Sequence, residues 1–171
     1  MKLLGLIGSS GSGKTHLLTR LLPLYTAHGL RVSTIKHAHH GFDLDQPGKD
    51  SFQHRQAGAH EVLIASATRW ALMHEADGPE PSLDQLVGRL SPVDLVLVEG
   101  FKTSPHPKIE VHREGLGRPP FWPGRQDVVA VASDSAIPDC TVPVLDLARP
   151  DEIVGWSLRF LELNDAVQPH S

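Results

Sequence analysis

A glycine-rich segment near the start of the chain constrains the fold more than any other feature. It matches the P-loop pattern G-x-x-x-x-G-K-[ST] at Gly8, Ser9, Ser10, Gly11, Ser12, Gly13, Lys14 and Thr15. The apolar run 3–7 before it predicts a buried strand, and residues 16–22 after it have helical spacing. Strand, glycine-rich turn and helix together predict that backbone amides at the helix start bind a nucleotide triphosphate. The alternative is a turn that merely caps the helix.

Three side chains are expected to complete this site. Lys14 is expected to reach the β- and γ-phosphates, and the Thr15 hydroxyl to face a magnesium ion. Residues 94–99 form an apolar strand that ends in Glu99, at the carboxyl edge where open α/β sheets bind ligands. Asp94 stands about 16 Å away at the other end of that strand. Glu99 is therefore the favoured acid on the magnesium side, and a surface carboxylate is the alternative.

The remaining hydrophobic pattern predicts an α/β fold. The expected fold is a three-layer P-loop NTPase fold, with a mostly parallel sheet, helices on both faces and an added β-hairpin. Further strands are expected at 30–35, 61–66, 69–74, 108–112, 127–132 and 142–145, and further helices at 51–57, 82–90 and 151–163. Segments 61–66 and 69–74 predict the hairpin. We expect one nucleotide-binding domain over residues 1–163 and a frayed tail over 164–171.

The composition limits the classes of partner that the chain is expected to bind. The 171 residues are 40% hydrophobic and carry a net charge of −4, with no basic stripe. Nucleic acid is therefore not an expected partner. No apolar stretch is long enough to span a bilayer, and Cys140 is the only cysteine. These features predict a cytoplasmic protein without a membrane partner.

The polar loop that follows strand 30–35 is expected to lie over the phosphates. Asp43 or Asp45 would hold magnesium through water or orient an attacking water, and Lys36 would offset phosphate charge. A solvated loop is one alternative. The other is a transition metal bound by three neighbouring histidines, His37, His39 and His40, although such spacing is a weak metal signal.

Asp134 follows strand 127–132 near the end of the chain. In many GTP-binding folds an aspartate in this position accepts hydrogen bonds from the guanine N1 and N2 groups. The full Asn-Lys-x-Asp motif is absent here. An aspartate that simply starts a loop is therefore an equal alternative.

The chain resembles the MobB family, the molybdopterin-guanine dinucleotide biosynthesis adaptors. The similar segments are 8–15, 36–51, 54–59, 98–102 and 108–113. The resemblance implies a GTP- and Mg²⁺-binding adaptor with weak GTPase activity that assists molybdopterin guanylyltransferase and contacts other molybdenum-cofactor proteins. It also implies a homodimer joined through the hairpin. By the same resemblance Lys102 and Arg113 would contact a pterin phosphate, with solvent-facing charges as the alternative.

Two other functions remain open on the sequence alone. A P-loop small-molecule kinase using ATP or GTP would employ Arg113, Arg118 and Arg125 as a mobile lid. An ATP-dependent metal chaperone would use the histidines of the polar loop. The segment 36–56, rich in histidine and aspartate, favours the adaptor because a generic kinase does not require it.

Overall fold

A computed structural model describes residues 1–38 and 44–163. The elements in this part of the chain are β1 (Lys2–Ile7), α1 (Lys14–Ala27), β2 (Val32–Lys36), α2 (Asp50–Gln56), β3 (Glu61–Ala65), β4 (Trp70–His74), α3 (Leu83–Val87), β5 (Leu95–Glu99), β6 (Lys108–His112), β7 (Val128–Ser133), β8 (Val144–Asp146) and α4 (Pro150–Phe160). Every strand and helix expected from the sequence is present. Helices α3 and α4 end three residues earlier than predicted, and α1 extends five residues beyond the segment 16–22.

Six strands form one parallel sheet in the order β2-β5-β1-β6-β7-β8. The register pairs Leu6 of β1 with Glu99 of β5, and Ile7 with Glu110 of β6. The carboxyl ends of these strands therefore meet at one edge, immediately beside the loop that follows β1. The prediction of a mostly parallel α/β sheet is confirmed.

Helices cover both faces of this sheet, as expected. Residues of α1 and α4 pack on one face, over alternate residues of β1, β5, β6 and β7 such as Leu4, Leu97, Ile109 and Ala130. Helix α3 packs on the other face, where Leu83 meets Val96 and Val98 of β5. Alternation along each strand separates the two layers.

A short helix and the predicted hairpin form a separate compact unit. By its contacts the chain forms two units. The first consists of residues 1–37 and the part from Leu83 onward, and the second consists of residues 38–82. In the second unit, β3 and β4 pair antiparallel from Glu61–His74 to Ala65–Trp70. The expectation of one domain over residues 1–163 stays a prediction. The expected frayed tail, 164–171, lies outside the described residues.

None of the helices in residues 1–38 and 44–163 has the length and apolar character needed to span a bilayer.

Candidate nucleotide-binding site

The loop between β1 and α1 has the backbone form that its sequence predicts. Gly8 adopts φ 154°, and a side chain there would collide with the carbonyl oxygen of Val111 on β6. Gly13 caps α1 in the left-handed region at φ 92°, which favours glycine. Only glycine therefore suits these two turns, which bring the start of α1 directly after the end of β1.

The start of α1 presents polar groups that suit an anion. Among the described residues, no side chain hydrogen-bonds to the helix start as a cap, so the first-turn amides are available to an anionic ligand. Ser12 is 1% exposed, and its hydroxyl oxygen has no hydrogen-bond partner among the described residues. An anion bound in the loop would give these donors an acceptor.

Lys14 lies back across the loop. Its Nζ donates to the carbonyl oxygens of Gly8 at 3.2 Å and Ser9 at 2.9 Å. Burial lowers the pKa of Lys14, Glu99 opposes that shift, and the nearby cations Lys102 and Lys36 add to it. An additional negative charge at this loop would stabilise the ammonium form.

Thr15 and Glu99 meet as the sequence predicts. The Thr15 hydroxyl lies 2.8 Å and 2.9 Å from the two carboxylate oxygens of Glu99, and Lys36 Nζ lies 3.5 Å from one of them. Glu99 is 9% exposed at the end of β5. Asp94, at the opposite end of the strand, accepts a hydrogen bond from the Arg31 amide at 2.7 Å. Glu99 is therefore the carboxylate of this strand that lies at the P-loop.

These two oxygen-bearing side chains fit magnesium. Mg²⁺ prefers hard oxygen ligands and usually takes one or two from the protein, with water and phosphate oxygens completing the shell. Among residues 1–38 and 44–163, no group of three His, Cys, Asp or Glu side chains is arranged to hold a metal. His39 and His40 lie outside that part of the chain, and the His37 ring stacks on Phe101 with centroids 4.7 Å apart.

Asp43 and Asp45 remain predictions as catalytic residues. Asp43 lies outside the described residues. The side chain of Asp45 is 3% exposed and pairs with Arg55 at 2.8 Å, within the unit of residues 38–82. Arg55 also reaches Glu75 at 3.4 Å. In this arrangement, Asp45 is held against helix α2.

Asp134 stands at the rim of a cavity where β7 and β8 end. The cavity has a volume of about 320 Å³ and is lined by residues 133–136 and 144–146. Asp134 also pairs with Arg113 at 3.0 Å. The position agrees with the sequence-based hypothesis, and base recognition by Asp134 stays a prediction.

Two contacts of the site were missed in the sequence. Arg113 Nε donates to the Ser12 carbonyl at 3.0 Å, and Leu116 lies beside Gly11, where an added side-chain carbon would be 4.0 Å from Leu116 Cδ2. The order of the strands would have indicated both contacts. Because β6 pairs directly with β1, the segment after β6 lies beside the P-loop. Arg125, proposed as a lid residue, is instead held by Asp127 at 2.7 Å.

The chain matches known proteins over most of its length. Residues 3–134 match the family model of molybdopterin guanine dinucleotide synthesis protein B, MobB. The molybdopterin-guanine dinucleotide biosynthesis adapter protein of Escherichia coli is 44% identical over 162 residues, which cover 90% of this chain and 92% of that relative. The adapter protein of Haemophilus influenzae is 49% identical over 119 residues, covering 68% of this chain and 66% of that relative.

Solved structures agree with this assignment. A crystal structure of molybdopterin-guanine biosynthesis protein B is 29% identical, covers 93% of this chain and 99% of its own, and superposes with a TM-score of 0.72. A MobB homologue from Bacillus stearothermophilus shares the fold, with a TM-score of 0.69 at 24% identity, and covers 95% of this chain and 99% of its own. The chain therefore belongs to the MobB family, the adapter proteins of molybdopterin guanine dinucleotide biosynthesis.

Proposed function

We propose that this adapter binds GTP together with Mg²⁺ at the P-loop edge of its parallel sheet and hydrolyses GTP slowly. The observation that supports this most directly is the meeting of Thr15 and Glu99 at 2.8 Å and 2.9 Å, beside the loop spanned by Lys14. A hydroxyl and a carboxylate from distant parts of the chain would provide the protein oxygens of a magnesium site next to a polyphosphate.

Several cations near Glu99 support a polyphosphate ligand. Lys36 lies 3.5 Å from Glu99, and Lys102 and Lys36 both influence the pKa of Lys14. One carboxylate does not neutralise three lysines. A magnesium triphosphate, with its remaining negative charge, would balance this cluster.

The acidic cavity beyond β7 supports guanine as the base. Asp134 and Asp146 both line it, and ionised carboxylates only accept hydrogen bonds. Guanine offers donors at N1 and N2, whereas the N1 of adenine is an acceptor. A carboxylate at this place therefore favours GTP over ATP.

Slow rather than efficient hydrolysis is proposed from the state of Asp45, the candidate for orienting water that lies within the described part of the chain. Asp45 is already paired with Arg55 in a nearly inaccessible position, so the described part of the chain offers binding groups more readily than a free base. Such a protein would act chiefly by presenting bound GTP to molybdopterin guanylyltransferase and other molybdenum-cofactor proteins. We place it in the cytoplasm, where GTP and Mg²⁺ are abundant.

The hairpin supports a homodimer. The register places Leu63, Ala65, Trp70 and Leu72 on one face of it. Three of these side chains are large and exposed, with Trp70 at 67%. A two-stranded sheet is marginally stable alone and its edges are open to further pairing. A second copy of the hairpin would cover this apolar face and extend the sheet.

Titration calorimetry with GTP and ATP, with and without Mg²⁺, tests the proposal. Replacing Lys14 with Ala should weaken GTP binding by roughly 100-fold, since a charged hydrogen-bond donor to phosphate is lost. Glu99→Gln should remove most of the affinity gained from Mg²⁺ and change binding without Mg²⁺ little. Lys2→Ala, which removes a lysine at the amino end of β1, is the control and should bind like the wild type.

Unchanged GTP and ATP binding by Lys14→Ala would contradict the site. Equal losses for Glu99→Gln with and without Mg²⁺ would contradict the metal role. Light scattering on the same wild-type samples should return twice the chain mass of 18.6 kDa. A mass of one chain would contradict the dimer.

A further inference from the structure

Arg113 connects the two ends of the candidate site. It follows β6 directly, and its guanidinium donates from Nε to the carbonyl of Ser12 at 3.0 Å and from Nη1 to Asp134 Oδ2 at 3.0 Å. Ser12 belongs to the phosphate loop and Asp134 to the rim of the acidic cavity. One side chain thus bridges the region proposed for phosphate and the region proposed for the base.

The bridge leaves Asp134 able to accept further hydrogen bonds. Arg113 uses Oδ2, and the amide of Glu114 donates to Oδ1 at 3.3 Å. A carboxylate has about four acceptor positions, so roughly two stay available. The Asp134 side chain is 37% exposed, which leaves it accessible from the cavity. The carboxylate is held at both oxygens without being fully occupied.

We propose that Arg113 is the positioning residue for base selection, because it fixes the carboxylate of Asp134 at a set distance from the phosphate loop. This inference rests on the proposed binding of GTP. In a nucleotide the base and phosphates are separated by a ribose of nearly constant size. The group that binds the base must therefore lie at a fixed distance from the loop that binds the phosphates. A rigid planar guanidinium with divergent N–H donors maintains that distance, whereas an ammonium group does not.

The segment after Arg113 supports the same role. Residues 114–116 form a single helical turn, which begins with the Glu114 amide on Asp134 and ends with Leu116 beside Gly11. The two ends of the turn therefore lie at the elements that Arg113 links. This turn and the arginine hold the loop and the aspartate together as one structure.

Inosine triphosphate provides the test, since it differs from GTP only by the missing 2-amino group. The readout is the ratio of the GTP and ITP affinities, which a purely structural or phosphate-binding role would not change. The wild type should prefer GTP by roughly tenfold, the worth of one hydrogen bond to a charged group. Arg113→Ala should reduce the ratio to below about threefold, because Asp134 then loses its anchor.

Arg113→Lys separates geometry from charge. It keeps the positive charge but not the planar pair of donors, so its ratio should fall while its affinity for ITP stays within about threefold of the wild type. Arg89→Ala is the control, since it removes an exposed arginine from the segment that follows α3. Its ratio should equal that of the wild type.

Asp134→Ala separates base recognition by Asp134 from the positioning role of Arg113. If it abolishes the GTP preference and Arg113→Ala does not, the inference about Arg113 is wrong while base reading by Asp134 stands. If Asp134→Ala leaves the preference unchanged, base reading by Asp134 and the role of Arg113 both fail. Equal weakening of GTP, ITP and ATP by Arg113→Ala would assign Arg113 to phosphate binding and overturn its role in base selection.

Discussion

Strand β6 contributes to two very different layers on the two faces of the sheet. Ile109 and Val111 lie in the apolar layer beneath α1 and α4, together with Leu4, Leu97 and Ala130. Lys108 and Glu110 alternate with them and are equally buried, at 0% and 1% exposure, on the opposite face. The same strand therefore buries hydrocarbon on one side and charge on the other.

The difference follows from what covers each face. Helices α1 and α4 satisfy their own backbone hydrogen bonds and need only apolar contact. Over β6 the second face instead meets irregular chain, whose buried amides and carbonyls need partners. Glu110 accepts hydrogen bonds from the Phe121 and Trp122 amides at 2.8–2.9 Å. Buried charge in this sheet thus substitutes for the hydrogen bonds that a helix would make internally.

Lys108 performs the complementary task for carbonyl groups. Its Nζ donates to the carbonyls of Ser104 and His106, the latter at 2.8 Å, and pairs with Asp127 at 2.7 Å. Arg125 also donates a hydrogen bond to Asp127, and this bond is the largest cause of the lowered pKa of Asp127. Both signs of charge are therefore neutralised locally.

The largest expected effect comes from Lys108→Met. This change should lower the free energy of unfolding by about 3 kcal/mol, because one buried carbonyl, one partly buried carbonyl and one carboxylate lose a charged donor. Urea denaturation measures it. Lys2→Met is the control, since Lys2 makes an exposed pair with Glu162 at 3.7 Å, and should cost less than about 0.5 kcal/mol. Equal small losses for both variants would mean that buried charge on this face contributes no more than surface charge.

Gly5→Ala tests how tightly the polar face is packed. A methyl group at Gly5 would lie 2.5 Å from His106 Nε2 and 2.8 Å from Lys108 Cγ. We expect a loss of about 2 kcal/mol in unfolding free energy from this overpacking. Gly115→Ala is the control, because nothing lies within 4 Å of the added carbon there.

A second substitution sharpens this prediction. Adding His106→Ala to Gly5→Ala should recover part of the loss, since the imidazole is the nearest obstacle. If the double variant were destabilised by the sum of the two single effects, the clash with His106 would not be the cause.

The same contrast explains which features the sequence predicts. The P-loop, Glu99 and the parallel strands are local patterns, and the structure has them where expected. Polar and apolar residues alternate at Lys108, Ile109, Glu110 and Val111, yet all four are buried. Their coverage depends on a connection whose path has no periodic signal. Arg113 is similar, since its contact with Ser12 depends on β6 lying beside β1.

The smallest expected effect is a pH dependence at His106, on the polar face of the sheet. His106 is 7% exposed, and neither ring nitrogen has a hydrogen-bond partner among the described residues. Burial, reinforced by Lys108, lowers the pKa of His106 from 6.5 to about 4, although Asp127 and Asp84 oppose the shift. The folded protein therefore keeps this imidazole neutral at a pH where the unfolded chain protonates it.

The sign of the effect follows from proton linkage. Between pH 6.5 and 4 the unfolded state binds more protons at this residue, so stability falls as the pH falls. The slope from one group is at most about 1.4 kcal/mol per pH unit. His106→Gln should make the urea stability of the protein less dependent on pH between pH 7 and pH 5. A slope in His106→Gln equal to that of the wild type would mean that His106 is protonated in the folded protein as easily as in the unfolded chain.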